Sequence, residues 1–263
     1  MSELHIQTLG QGPDVVLLHG WAMHGGVFAP LVEALRGDHT LHLVDLPGHG
    51  HSRASALPLA LAPVADALAA RLPRALWLGW SLGGLFALQA ASAHPGRVRG
   101  LSMLAASPRF VRADDWPHGM AAQVFRDFAQ GLGADYRGTL ERFVALEAFG
   151  SDAARDEMRT LREALFARGE PAARALADGL DLLERSDLRA VLPDLAMPSL
   201  WLGGRRDRLV DPRALQAAGA LAPRARVEVL AHAGHAPFLT HAEEVAAALR
   251  AFEATLADDG GAA

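Results

Sequence analysis

Ser81 stands in Gly79-Trp80-Ser81-Leu82-Gly83, the pattern G-x-S-x-G, with an apolar run before it and an alanine-rich run after it. Strand, sharp turn and helix in that order make a nucleophile elbow. The elbow lifts a serine hydroxyl out of a sheet and aims the first amides of the next helix at it. The flanking glycines fit a tight turn where neighbouring backbone passes close. The chemistry open to such a serine is acyl transfer through a covalent intermediate. A hydroxyl needs a base to activate it, and the base needs a group to orient it.

His235 is the expected base. It lies in His232-Ala233-Gly234-His235-Ala236-Pro237-Phe238, just after the last strand-like run. His232 is nearer the strand and reads as structural, with Gly234 supplying the turn that frees His235. The acid is expected between serine and histidine in chain order. Asp207, following Leu200-Trp201-Leu202-Gly203-Gly204, fits that place. Asp211 is the rival, but it precedes Pro212 and a helical run, so it reads as a helix N-cap. His19-Gly20-Trp21-Ala22 directly follows another apolar run. Its position predicts that the Trp21 and Leu82 amides form an oxyanion hole. Asp45-Leu46-Pro47-Gly48-His49-Gly50-His51-Ser52 is glycine-rich, but it lacks the lysine and spacing of a phosphate loop and reads as structural.

Groups so far apart in sequence need a scaffold that returns to one edge repeatedly. Strand-like runs recur at 15–18, 41–44, 75–78, 100–104, 199–202 and 226–230, and Gly10–Pro13 reads as a turn between a first strand pair. Helical segments fall at 28–36, 59–71, 82–93, 212–221 and 241–256. Short, continuously apolar strands alternating with helices predict the α/β class: a mostly parallel sheet flanked by helices on both faces. The alternation breaks between Pro108 and Pro193, a stretch too long for a loop and helical in pattern. The expected organisation is a core over 1–108 and 194–257, an inserted helical lid over 109–193, and a disordered tail over 258–263.

Composition narrows the chemistry. The chain has 263 residues, 51% of them hydrophobic, enough for a sizeable core. It has no cysteine, which excludes thiol catalysis, disulfides and zinc–thiolate sites. All 25 basic residues are arginine, so lysine Schiff-base chemistry is excluded too. A net charge of −5 gives no basic field for nucleic acid or an acidic membrane. Neither a signal peptide nor a run long enough to span a bilayer is visible, so a cytoplasmic protein is expected, with a monomer as the default state.

With these pieces placed, the chain resembles the α/β-hydrolase superfamily from end to end. Leu41–Gly48, Trp77–Gly84, Ser107-Pro108 with Asp115-Trp116-Pro117, Glu141–Leu146 and His235–Phe238 resemble more closely the pimeloyl-[acyl-carrier protein] methyl ester esterases of biotin synthesis. The resemblance includes the lid. It implies hydrolysis of the methyl ester of a pimeloyl group on acyl carrier protein, releasing methanol through an acyl-enzyme on Ser81, with no cofactor or metal. It implies substrate contacts at Trp21, Ser81, Leu82, Phe143, Val144, Ala145, Leu146, Glu147 and His235. It also implies carrier-protein docking by Arg142, Arg155 and Arg159. Arg155, Arg159 and Arg162 fall on one helical face by spacing, beside an apolar stripe of Met158, Leu161 and Leu165. The chain departs from the family at Gly138, where another arginine is expected and only the neighbouring Arg137 is basic. The alternatives are a generalist esterase of small esters and a non-catalytic receptor on the same fold. Dehalogenases and epoxide hydrolases carry aspartate, not serine, at the elbow.

Overall fold

The computed structural model describes residues 4–258. Its strands are β1 (Ile6–Gly10), β2 (Asp14–Leu18), β3 (Thr40–Val44), β4 (Ala75–Trp80), β5 (Val98–Leu104), β6 (Ser199–Gly204) and β7 (Ala225–Leu230). They form one sheet in the order β1-β3-β2-β4-β5-β6-β7. Every pairing is parallel except β1 with β3. The helices are α1 (Ala29–Leu35), α2 (Leu61–Arg71), α3 (Leu82–Ala93), α4 (Ala122–Ala134), α5 (Tyr136–Ala148), α6 (Ala154–Ala167), α7 (Ala173–Arg185), α8 (Pro212–Leu221), α9 (Pro237–Thr240) and α10 (Ala242–Asp258).

The central strands are apolar throughout because both faces are covered. β4 and β6 are buried at every position. β7, at the edge, alternates Val227 and Val229 with Arg226 and Glu228 and is only half-buried. α3 is buried almost all round, which its Leu, Gly, Phe and Ala residues permit. The turn at Gly10–Pro13 joins β1 to β2, but these two strands are not paired. Both edges of β2 are taken by β3 and β4, so β1 adds to the free edge of β3, running antiparallel.

Between β5 and β6 the sheet receives no strand. The segment holds two isolated bridges, Val111 to Met120 and Ala113 to Trp116, and the helices α4–α7. α7 packs on α3, and α6 packs on α9. Asp258 still belongs to α10, so the tail expected to begin there starts one residue inside a helix. The remainder of that expected tail, 259–263, lies outside the described residues. Among the described residues, no helix is long and apolar enough to cross a membrane.

Parallel strands end on one edge, and the loops leaving that edge meet. β2, β4, β6 and β7 deliver His19–Ala22, Ser81, Asp207 and His235 to the same place.

Candidate active site

Ser81 has φ 51° and ψ −120°, a conformation that L-residues avoid. The elbow's glycines are there for space. A Cβ on Gly79 would run into the carbonyl of Gly83, and one on Gly83 into the carbonyl of Leu18. With that strain held, Ser81 Oγ lies 2.9 Å from His235 Nε2. His235 Nδ1 lies 2.8 Å from Asp207 Oδ2. The other Asp207 oxygen accepts from the amides of Leu209 at 2.8 Å and Val210 at 2.9 Å. Trp80 Nε1–H donates to the His235 carbonyl at 2.9 Å, fixing the histidine loop against the elbow strand. The three side chains are buried.

The rivals lie elsewhere. Asp211 N-caps α8, accepting from Arg213 N at 2.8 Å. The His232 side chain is 70% exposed and faces Asp152. Gly234 differs from the sequence reading in its reason. It does not adopt positive φ. Its missing side chain leaves room for Ser151, whose Cβ would sit 3.0 Å from a Cβ at 234.

The loop after β2 lies against the nucleophile: a Cβ on Gly20 would be 3.3 Å from Ser81 Cβ. His19 pins this loop. Its Nδ1–H donates to Gly20 O at 2.8 Å, and its Nε2 accepts from Leu46 N at 2.9 Å. Burial, with the nearby His49 ring, pushes the His19 pKa down to about 3, so the ring is neutral. Trp21 is buried beside Ser81's loop, and its indole donates to Leu176 O of α7 at 2.8 Å. Leu82 is the first residue of α3, whose leading amides have no acceptor within the helix.

Helices α4, α5 and α7 close over Ser81. Phe110, Phe125, Phe143, Leu183 and Leu209 surround the hydroxyl, leaving about 10 Å³, room for one water. Phe143 packs at a tilt against Trp21, ring centres 4.5 Å apart, and edge-to-face with Phe128 at 5.2 Å. Of the other α5 residues singled out, Val144 is buried, Leu146 half-buried and Ala145 exposed. Glu147 is fully buried, and neither of its carboxyl oxygens has a hydrogen-bond partner. Burial, and then the charge of Asp207, push its pKa well up. A groove of about 310 Å³ between loop 47–59 and α7 is lined by no member of the Ser81 cluster.

The lid arginines are exposed. Arg142 reaches Asp135 at 3.2 Å and Thr139 at 2.7 Å. Arg159 reaches Asp156 at 3.0 Å, and Arg155 lies on the same exposed side of α6. The buried stripe of α6 is Glu157, Leu161 and Leu165, with Met158 only partly covered. Gly138 sits beneath the Asp135 carboxylate that N-caps α5, and Arg137 pairs with Glu170 at 2.8 Å. His5, Asp45 and His51 bring ligand atoms within 4.8 Å of one another. A guanidinium already serves as the cation there: Arg168, at the end of α6, contacts both oxygens of fully buried Asp45 at 3.0 and 3.1 Å. Asp45 also accepts from the Gly25 and His51 amides. The cluster is therefore a fastening of the end of α6 to the loop after β3, and sequence reasoning had not paired these residues.

Comparison with known proteins agrees with the geometry. Residues 13–242 match the α/β hydrolase fold family. The pimeloyl-[acyl-carrier protein] methyl ester esterase of Stenotrophomonas maltophilia (strain K279a) is 60% identical over 259 residues, 98% of this chain and 100% of that one. The enzyme of the same name from Xanthomonas oryzae pv. oryzae is 59% identical over 253 residues, 96% and 100% of the two chains. Among solved structures, a bromoperoxidase from Bacillus anthracis superposes with a TM-score of 0.84 at 22% identity, covering 95% of this chain and 94% of that one. An esterase from Exiguobacterium antarcticum reaches 0.81 at 22% identity, with the same coverage. At that identity the structures speak to the fold, while the full-length relatives speak to the family. The chain belongs to the α/β-hydrolase family, among the pimeloyl-[acyl-carrier protein] methyl ester esterases.

Proposed function

We propose that the protein is a serine carboxylesterase that hydrolyses pimeloyl-[acyl-carrier protein] methyl ester to pimeloyl-[acyl-carrier protein] and methanol in biotin synthesis. The observation that carries this reading is the unbroken chain Ser81 Oγ–His235–Asp207, with both links under 3 Å. It stands in a protein about 60% identical from end to end to esterases of that name.

Each group has one task. His235 Nε2 takes the Ser81 proton as Oγ attacks the methyl ester carbonyl. Asp207 holds the Nδ1–H tautomer and stabilises the imidazolium. The amides of Trp21 and Leu82 receive the oxyanion, a contribution of about 3 kcal/mol per donor in sites of this kind. The intermediate collapses by breaking the bond to methoxide, which leaves as methanol with the proton from His235. Water then attacks the acyl-enzyme, giving its proton to His235. Breaking the Ser81 ester returns that proton to Oγ and frees the carboxylate. Triad and amides supply everything acyl transfer asks for, so no cofactor is assigned.

The acyl chain occupies the apolar space under α4, α5 and α7, bounded by Phe143 and its neighbours in the run 143–147. With about 10 Å³ free at Ser81, these helices must part to admit it. Carrier protein, an acidic partner, docks through Arg142, Arg155 and Arg159 on the exposed lid. The lid, as a unit, is the segment 109–193. A cytoplasmic monomer is the form in which we place this activity.

The test is methanol release from the carrier-linked methyl ester, beside hydrolysis of p-nitrophenyl butyrate, for wild type and Ser81→Ala. Ser81-dependent cleavage of the carrier-linked ester is expected. Cleavage of the small ester alone would reduce the protein to a general short-chain esterase.

A further inference from the structure

Glu157 is the one fully buried acidic residue of α6. It stands at the helix position that continues the apolar stripe of Leu161 and Leu165. Such a residue requires hydrogen-bond partners, and its partners lie in two different parts of the molecule. Ser151 Oγ–H, in the loop between α5 and α6, donates to Oε1 at 2.7 Å. Thr240 Oγ1–H, the last residue of α9, donates to the same oxygen at 2.8 Å. α9 is the short helix that begins two residues after His235. The second oxygen, Oε2, has no hydrogen-bond partner and faces Gly234, the residue before His235; a Cβ there would lie 3.5 Å from it.

The histidine loop is therefore gripped from both sides. From the sheet, Trp80 holds the His235 carbonyl. From α6 and the loop before it, Ser151 and Glu157 occupy the space a side chain at 234 would take, and Glu157 holds Thr240 beyond the histidine. The loop after β6 holds it as well: Arg206 N–H donates to the Ala233 carbonyl, two residues before His235, at 3.0 Å. A loop fixed at one point can rotate, whereas a loop fixed before, at and after its key residue cannot. Errors near 1 Å in such a group cost about 100-fold in rate.

We infer that Glu157 is a positioning residue for His235: it ties lid helix α6 to the helix that follows the histidine, so that the lid forms part of the triad's scaffold. The inference rests on the Ser81–His235–Asp207 reading.

The test compares Glu157→Gln, Glu157→Leu and Thr240→Val in the full chain. Glutamine keeps an oxygen for both hydroxyls and should retain kcat on p-nitrophenyl butyrate within about twofold. Leucine removes the acceptor, and valine removes the Thr240 hydroxyl with its bond to Glu157 and its 2.9 Å contact with His241 Nδ1. Both should lower kcat, the leucine variant by about tenfold or more, with KM little changed. The second readout is the low-field proton of the His235–Asp207 hydrogen bond in the NMR spectrum. It should persist in Glu157→Gln and broaden or move upfield in the other two. A melting temperature that falls while kcat and the low-field proton stay put would overturn the proposal. If Glu157→Leu does not fold, Thr240→Val decides by the same two readouts. Failure of the underlying triad reading looks different: Ser81→Ala would keep its activity, or the wild type would lack the low-field proton.

Discussion

Glu147 is a fully buried carboxyl group that lies within reach of the charge of Asp207, itself buried. Asp207 is surrounded by donors: His235 on one oxygen, two amides on the other. Glu147 has none on either oxygen. A carboxyl group buried without a donor, and facing a second carboxyl group, is pushed toward its protonated form. Burial and the charge of Asp207 thus favour the neutral form of Glu147 near the end of α5.

This arrangement has a stability signature. A group whose native pKa is raised contributes stability that is complete below its unfolded value, here 4.5, and is lost as pH rises toward the native value. The loss is about 1.4 kcal/mol per pH unit. Glu147→Gln keeps the shape and does not titrate. Unfolding free energies from urea melts between pH 5 and 8 should show the variant gaining on the wild type as pH rises. A gap of constant size would mean that Glu147 is ionised in the native protein.

His19 and His49 act in the opposite direction. Burial pushes them down, to about 3 and about 4 from 6.5. A histidine held neutral contributes stability that is complete above 6.5 and is lost as pH falls toward its native value, because only the unfolded chain takes up protons there. Each ring costs at most about 1.4 kcal/mol per pH unit in that window. The measurement belongs in the Glu147→Gln background, where the opposing titration is gone. Stability should decline from pH 6.5 to 4.5, and His49→Leu, which removes a ring whose Nε2 has no partner, should shallow the slope. An unchanged slope would move the acid sensitivity to other groups.

The centre of the sheet was legible because β2, β4, β5 and β6 are nearly continuous apolar runs bounded by turns, and burial on both faces is what such a run means. Ser81, Asp207 and His235, which the structure brings within hydrogen-bond distance, each stand in the stretch that follows a strand. Pairing was less visible. β1 carries no mark of whether it joins β2 or β3, since the choice depends on which edges are already occupied. Buried acids were the least visible. Glu147 and Glu157 look like ordinary helix residues until the lid is folded onto the core. Glu157 did leave a signal, standing four and eight residues before Leu161 and Leu165 on a face otherwise apolar. The fastening of Arg168 to Asp45 spans 123 residues and leaves no local trace.

Arg159 supplies the test of docking. Its side chain is 68% exposed and, among the described residues, pairs with Asp156, itself 67% exposed, so the pair contributes little to stability. Arg159→Glu should leave the melting temperature and p-nitrophenyl butyrate hydrolysis unchanged. It should lower kcat/KM for the carrier-linked ester roughly tenfold, about 1.4 kcal/mol, and flatten its salt dependence, because rim charges act mainly on association. Equal effects on both substrates would remove α6 from the carrier interface.

The sharpest mechanistic prediction concerns Asp207→Asn, because the surroundings dictate how the amide must sit. Oδ1 of Asp207 receives two backbone N–H groups, so asparagine must place its oxygen there. Its NH₂ is then turned toward His235 Nδ1, where the carboxylate had accepted a hydrogen bond. Nδ1 becomes an acceptor, the ring proton moves to Nε2, and Nε2 points a hydrogen at Ser81 Oγ instead of a lone pair. The serine loses its base although no heavy atom has moved. kcat should fall by about 10⁴, with KM and the melting temperature near their wild-type values. Asp211→Asn, which touches only the cap of α8, should leave kcat unchanged. If the two variants lose activity to the same degree, orientation of His235 does not depend on Asp207.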